Sequence, residues 1–301
     1  MSPQKTISTT AWILILSLSL IWGAVFLSAR LALNEVGPLT IVAHRTFWAA
    51  LLLWGVVAVR RIPLPHSPRI WIGFFGMGVL NNVIPFGLIS WAQLHIESGL
   101  ASILNASTAV FGVLVAAIFM ADERLGPRKA IGVLVAFFGV AMTIGLDTLR
   151  EFDLRSLAQI AMLVATLSYA FAGVWARKML GDLPAVLAAA GMLTSAALVS
   201  VPAAWLLEAP LTLALDPVTL AALAYSAIFA TALAYLIYYK VLTLAGSGNL
   251  LLVTMLIPLF AIALGALVLG EALPPNAFAG FLLLALGLVI IDGRLGRRFG
   301  V

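Results

Sequence analysis

Apolar runs of about twenty residues recur along almost the whole chain, separated by short polar clusters. A helix needs roughly 20 apolar residues to cross the hydrocarbon core of a bilayer, so each run reads as a membrane span. The pattern predicts ten spans, over residues 10–32, 38–59, 69–93, 98–120, 127–146, 156–178, 184–207, 217–243, 248–269 and 275–292. The connectors hold most of the charge, proline and glycine, and none is long enough for a soluble domain.

Two stretches organise these spans. Glu123 is followed by Gly132 and Gly139, and Glu271 by Gly280 and Gly287. The spacing is the same in both, and the two stretches lie 148 residues apart. Seven residues is about two helical turns, so each glycine pair falls on one helix face. Such a face lets two helices approach closely in lipid. Further landmarks align at similar offsets. Trp22 and Ala29–Arg30 match Tyr169 and Ala176–Arg177, and Ser98–Gly99 matches Ser247–Gly248. The chain therefore reads as a single membrane domain of two five-helix repeats, over residues 1–148 and 149–301. Five is odd, so the second repeat must run inverted through the membrane. Inverted repeats place a binding site at the midplane between the halves and work by alternating access.

Composition removes the rival reading of two soluble domains, which 301 residues would otherwise allow. The chain is 63% apolar and only 10% charged, and a soluble surface needs far more charge. It is predicted to be an all-α integral membrane protein. With no cysteine, disulfides and thiolate metal sites are excluded. The first ten residues carry one lysine and no small-residue cleavage signal, so the first span is expected to be retained. The net charge of +5 reports topology, not nucleic-acid binding. With the N-terminus in the cytoplasm, thirteen of the 17 Lys and Arg fall on the inner side and three in the outer loops. Arg45 lies inside the second span. This split predicts both termini inside.

The ordered set of features is similar to the drug/metabolite transporter superfamily, EamA type. These are ten spans as five plus five, His44-Arg45-Thr46-Phe47 in the second span, and the acid-then-glycines motif entering spans five and ten. Within it the chain resembles the YddG-like bacterial amino-acid exporters. The resemblance implies a basket of ten helices in a bacterial inner membrane, exporting small metabolites from the cytoplasm. One departure concerns span four. Family members often carry a proline there as well as in span nine, but here only Pro258 of span nine is present. The two halves are therefore expected to bend differently.

Each candidate residue has a structural alternative. Arg45 is a charge inside a span and should face an interior or wet cavity. It reads either as a carboxylate anchor or gate, or as a structural ion bonded to helix-end carbonyls or to Glu35. His44 beside it reads as a proton relay or a packing residue. Asn81 and Asn82 lie mid-span before Pro85, which removes a donor and frees a carbonyl near position 81. They read as substrate contacts or as interhelical hydrogen bonds. Trp22, Trp91, Tyr169, Trp175, Tyr235, Tyr238 and Tyr239 offer ring faces and polar tips for a cavity, against the alternative of an interfacial belt. Trp12, Trp54, Trp71 and Trp205 are assigned to the belt. Glu123 and Glu271 read as structural or hinge residues at the positive N-termini of the helices that follow them. Asn105, Ser107, Thr108 and Thr254 could add polar contacts, but such hydroxyls more often bond their own backbone.

No glycine-rich phosphate loop or His-Glu-x-x-His motif is present, and the three histidines lie apart. No catalytic residue, cofactor or metal is predicted. All twelve acids fall in connectors or at span ends, which argues for facilitated diffusion over proton coupling. The expected partners are the bilayer and a small-molecule substrate, with amino acids first and drugs, nucleosides or sugar conjugates as the alternative. A monomer is the expected state.

Overall fold

A computed structural model describes residues 8–120, 125–144, 154–181, 183–208, 210–245 and 247–292. Among these every regular element is helical. The membrane-crossing helices are α1 (Thr9–Ala32), α2 (Pro38–Val59), α3 (Pro68–Ala92), α4 (Ser98–Phe119), α5 (Pro127–Ile144), α6 (Leu154–Met179), α7 (Ala185–Leu207) and α8 (Pro217–Ala245). Next come α9 (Ser247–Leu264, continued by Gly265–Leu269) and the shorter α10 (Pro275–Asp292). Helix starts follow local chemistry. Ser8 caps α1, its hydroxyl accepting from Ala11 N at 3.2 Å. Proline opens α2, α3, α5, α8 and α10, where its missing N–H leaves no bond unmade. The repeat boundary expected at 148–149, and Glu123, lie outside the described residues.

The matched glycines face each other across α5 and α10. A Cβ at Gly132 would lie 2.8 Å from the Gly287 carbonyl, and one at Gly287 would lie 2.6 Å from that of Gly132. Gly139 and Gly280 form the same reciprocal pair one step along. The motif that marks the repeat in the sequence is thus one contact through which the repeats meet. On the other flank α2 packs on α7, with Thr46 bonded to Ser200 at 2.9 Å and Trp54 to Thr194 at 2.7 Å. Trp54 is therefore an interhelical contact and not a belt residue. Its indole nitrogen finds a partner inside the bundle, while Trp12, Trp71 and Trp205 remain exposed.

The helices that line the interior are interrupted. α3 widens into a π-turn over Val79–Val83, and α8 does the same over Tyr225–Leu233, at the matching place in its repeat. In α3 the cause is Pro85. The wider register pairs Ile84 N with the Val79 carbonyl, so the carbonyl left without a donor is that of Leu80, not of Asn81. The hydroxyl of Ser168 fills it at 2.7 Å.

α4 breaks at Ala106–Ser107 although it has no proline. There Ser107 donates to the Leu104 carbonyl and Thr108 to the Asn105 carbonyl, offering the backbone an alternative to the helical bond. α9 runs as unbroken helix through Pro258. The two helices do differ, but the one without proline carries the break.

Candidate functional site

A cavity of about 770 Å³ lies between the two repeats. Its wall is built from matching positions. Trp22 is matched by Tyr169, Ile41 by Ala188, Phe86 by Tyr235, Ile89 by Tyr238, Ser90 by Tyr239, and Asn105 by Thr254, at offsets of 147 to 149 residues. One end of the cavity is sealed by residues buried to 7% exposure or less, among them Phe26, Ala29, Ile41, Ser90 and Gln93. The other end is lined by Arg177 and Gly181, both exposed, with Leu183 and Ala185 at the α6–α7 connection. The cavity opens there. A smaller pocket of about 310 Å³ adjoins this mouth and is lined by Arg69, Arg177 and Lys178.

Arg45 enters the wall from α2. Its Nε donates to Thr231 Oγ1 at 2.7 Å, and its Cζ sits 3.7 Å from the centre of the Phe86 ring, a cation–π contact. Thr231 in turn donates to the Ser226 carbonyl at 2.8 Å, a bond that spans five residues and clamps the π-turn of α8. No described acidic residue bonds Arg45. Glu35, the sequence-level alternative, accepts instead from Asp216 N at the start of α8. A guanidinium has five donors in a planar fork; Thr231 takes the one on Nε, and Nη2 makes a long bond of 3.5 Å to the Ala230 carbonyl.

The aromatic residues continue the wall beside Arg45, since Trp22 and Arg45 both reach the Ala230 carbonyl. Trp22 donates Nε1 to the Ala230 carbonyl at 3.1 Å and leans on Tyr238, with centroids 5.9 Å apart. Tyr238 meets Tyr239 edge-on at 5.3 Å. Asn81 donates Nδ2 to the Tyr235 hydroxyl at 3.0 Å, tying α3 to α8 across the cavity.

Four sequence candidates lie off the wall. Asn82 is fully buried, and neither amide atom has a partner among the described residues. Of the two neighbours, Asn81 lines the cavity and Asn82 does not. Trp91 stacks edge-on against His95 at 5.0 Å. Trp175 donates Nε1 to the Gly73 carbonyl at 3.0 Å and covers Gly76, filling the α3–α6 contact. His44 is buried and accepts from Trp48 Nε1 at 3.2 Å. Pro85 and Pro258 shape helices without entering the wall.

Glu271 caps a helix, but not its own. Gly270 at φ 66° ends α9 in a left-handed turn. The Glu271 carboxylate then folds back over Gly265 to accept from Ser98 N at 3.1 Å and Ser98 Oγ at 2.5 Å, at the N-terminus of α4. The acid of the second repeat thus holds a helix of the first. Sequence reasoning missed Phe86, Thr231 and Gln93. Gln93 carried a signal, as a polar side chain ending an apolar run.

The model of the EamA-like transporter family matches the chain twice, over residues 9–145 and 156–292. The chain is 22% identical to the uncharacterized transporter YoaV of Bacillus subtilis, covering 94% of this chain and 97% of that one. It is 26% identical to a probable amino-acid metabolite efflux pump of Escherichia coli, covering 92% and 93%. A crystal structure shares the fold at 19% identity, with a TM-score of 0.67 over 94% of this chain and 97% of that one. The doubled match falls on the two sets of five helices that enclose the cavity, and the chain belongs to the EamA-like transporter family.

Proposed function

We propose that this transporter exports amino acids and related carboxylate-bearing metabolites by alternating access. The observation that carries the reading is Arg45, a guanidinium on the cavity wall with no described acid bonded to it. A buried charge of this kind is stabilised when an anion binds it, and a carboxylate fits its fork in two parallel bonds. Trp22, Tyr169, Tyr235, Tyr238 and Tyr239 would hold the apolar or aromatic body of the substrate, with Asn81 fixing Tyr235. His44, Asn82, Trp91 and Trp175 would support the frame.

The distribution of Lys and Arg supports a bacterial inner-membrane orientation with both termini in the cytoplasm, which makes the open mouth cytoplasmic. No described acid lines the cavity, which supports facilitated diffusion of the zwitterion. The name of the Escherichia coli relative points the same way.

Counterflow in proteoliposomes without ion gradients tests this. Vesicles loaded with threonine, methionine, phenylalanine or tryptophan should take up the labelled amino acid saturably. Phenethylamine, which lacks the carboxylate, should not compete. Equal competition by phenethylamine would overturn the role of Arg45, and uptake only under a pH gradient would overturn facilitated diffusion.

A further inference from the structure

Arg30 and Arg177 end α1 and α6 at matching positions, 147 residues apart. Inversion of the repeat sends them to opposite faces of the membrane. At the sealed end, Arg30 donates Nη1 to the Gln93 carbonyl at 2.9 Å. The Gln93 amide donates Nε2 to the Phe26 carbonyl at 2.8 Å. These two bonds join the ends of α1 and α3, and Gln93 is fully buried beneath them. The position matching Gln93 is Leu242, 149 residues on, in the last turn of α8. At the open end Leu242 and Arg177 both line the cavity, with Leu242 half-buried and Arg177 exposed.

We propose that Arg30 and Arg177 are reciprocal gate residues. With the cavity open at the α6–α7 end, Arg30 latches α1 to the Gln93 carbonyl. With it open at the opposite end, Arg177 latches α6 to the Leu242 carbonyl. The chemistry is the same at both places. Carbonyls in the last turn of a helix have no partner within it, and a guanidinium near a helix C-terminus is favoured by the dipole. The acceptor belongs to the backbone, so leucine serves as well as glutamine.

The two latches are unequal. The position matching Phe26 is Gly173, and Leu242 has no side-chain amide. The second bond of the sealed end therefore has no counterpart at the open end. The state with the α6–α7 end open is favoured at rest, which is the state of this structure.

The chain contains no cysteine, so single cysteines report cleanly. Ser90→Cys sits on the wall near the sealed end and Ala188→Cys near the open end. In the full-length protein in cells, a membrane-impermeant maleimide should label Ser90→Cys slowly from outside. Arg30→Ala should raise that rate several-fold and lower cytoplasmic-side labelling of Ala188→Cys in inverted vesicles. Arg177→Ala should do the reverse. Arg177→Gln keeps amide donors without charge and should restore part of the loss.

Unchanged Ser90→Cys labelling in Arg177→Ala would overturn the proposal. So would full rescue by Arg177→Lys with none by Arg177→Gln, which would make charge alone sufficient. Ser67→Cys, exposed on the α2–α3 connector, reports sidedness separately. If it labels from outside, the two arginine effects must exchange sides. No substrate is needed, so the result stands apart from the amino-acid reading.

Discussion

The two repeats supply the same wall positions but not the same chemistry. The first contributes Arg45 where the second has Met192, and Phe86, Ile89 and Ser90 where the second has Tyr235, Tyr238 and Tyr239. At these positions the charge of Arg45 sits in one half and the aromatic hydroxyls in the other. At the α5–α10 contact, by contrast, the halves keep the same glycines and cover each other's backbone. The α5–α10 contact kept its glycines, while matched positions on the cavity wall diverged. A wall with two different sides can hold a substrate with two different ends in one orientation.

Giving the first half the residue of the second should have the largest effect. Arg45→Met removes the only charge among the two matched positions. A charge-assisted hydrogen bond contributes about 1.5–3 kcal/mol, so counterflow affinity for carboxylate substrates should fall roughly 10- to 100-fold. The loss should be similar for threonine and tryptophan, because both present the same carboxylate. Arg45→Lys, which keeps the charge but not the fork, should fall between the parent and Arg45→Met. A loss confined to aromatic substrates would show that Arg45 shapes the aromatic wall instead.

The frame offers the complementary test. Gly139→Leu and Gly287→Leu each push a side chain into the backbone of the partner helix. Each should destabilise the bundle by about 1–3 kcal/mol, read as a lower unfolding midpoint in detergent. The two losses should agree within a factor of two, since the contact is reciprocal. A large disagreement would mean that one repeat bears the contact and the symmetry is only apparent.

Most of this frame was legible in the sequence. Helix limits lie within a few residues of the apolar runs because proline and polar connectors end them sharply. The acid-and-glycine spacing marked the inverted repeat. The cavity wall was less legible, for two physical reasons. In a membrane helix the outward face is as apolar as the inward one, so pattern alone does not tell which side a residue faces. That is why Trp91 and Trp175 were grouped with Trp22 and Tyr169, although only the latter pair lines the wall. The π-turns then shift the phase of the residues that follow them, so a regular 3.6-residue period does not carry through α3 or α8. The break in α4 carries no proline and arises from the hydroxyls of Ser107 and Thr108. The target of Glu271 depends on the left-handed turn at Gly270, which folds the chain back on α4.

Tyr235→Phe gives the second half the residue of the first at one position. It removes the hydroxyl that accepts from Asn81 and leaves the ring in place. The expected cost is about 1 kcal/mol, or roughly a fivefold loss of affinity, because water in the cavity can reach the freed amide. Loss of aromatic over small substrates would sharpen the division of labour between the halves. An equal loss for threonine would assign the Tyr235 hydroxyl to the shared amino-acid backbone of the substrates.

The smallest expected effect is at Glu271, whose carboxylate crosses between the repeats to cap α4, as that of Glu208 crosses to cap α2. Glu271→Gln keeps an oxygen but loses the charge, and places an amide nitrogen toward donors already supplied by Ser98. An acid at a helix N-terminus contributes about 0.3–1 kcal/mol, so a drop of about 0.5 kcal/mol in unfolding stability is expected. Its direction in the maleimide assay matters more than its size. The carboxylate holds the start of α4 at the sealed end, beside the α3–α4 connector that follows Gln93. Loosening it should raise external labelling of Ser90→Cys, as Arg30→Ala does, but less. If Glu271→Gln lowers stability and leaves labelling unchanged, the acid belongs with the glycines to the shared frame. If it raises labelling, the sealed end is held by an acid from one repeat and a base from the other.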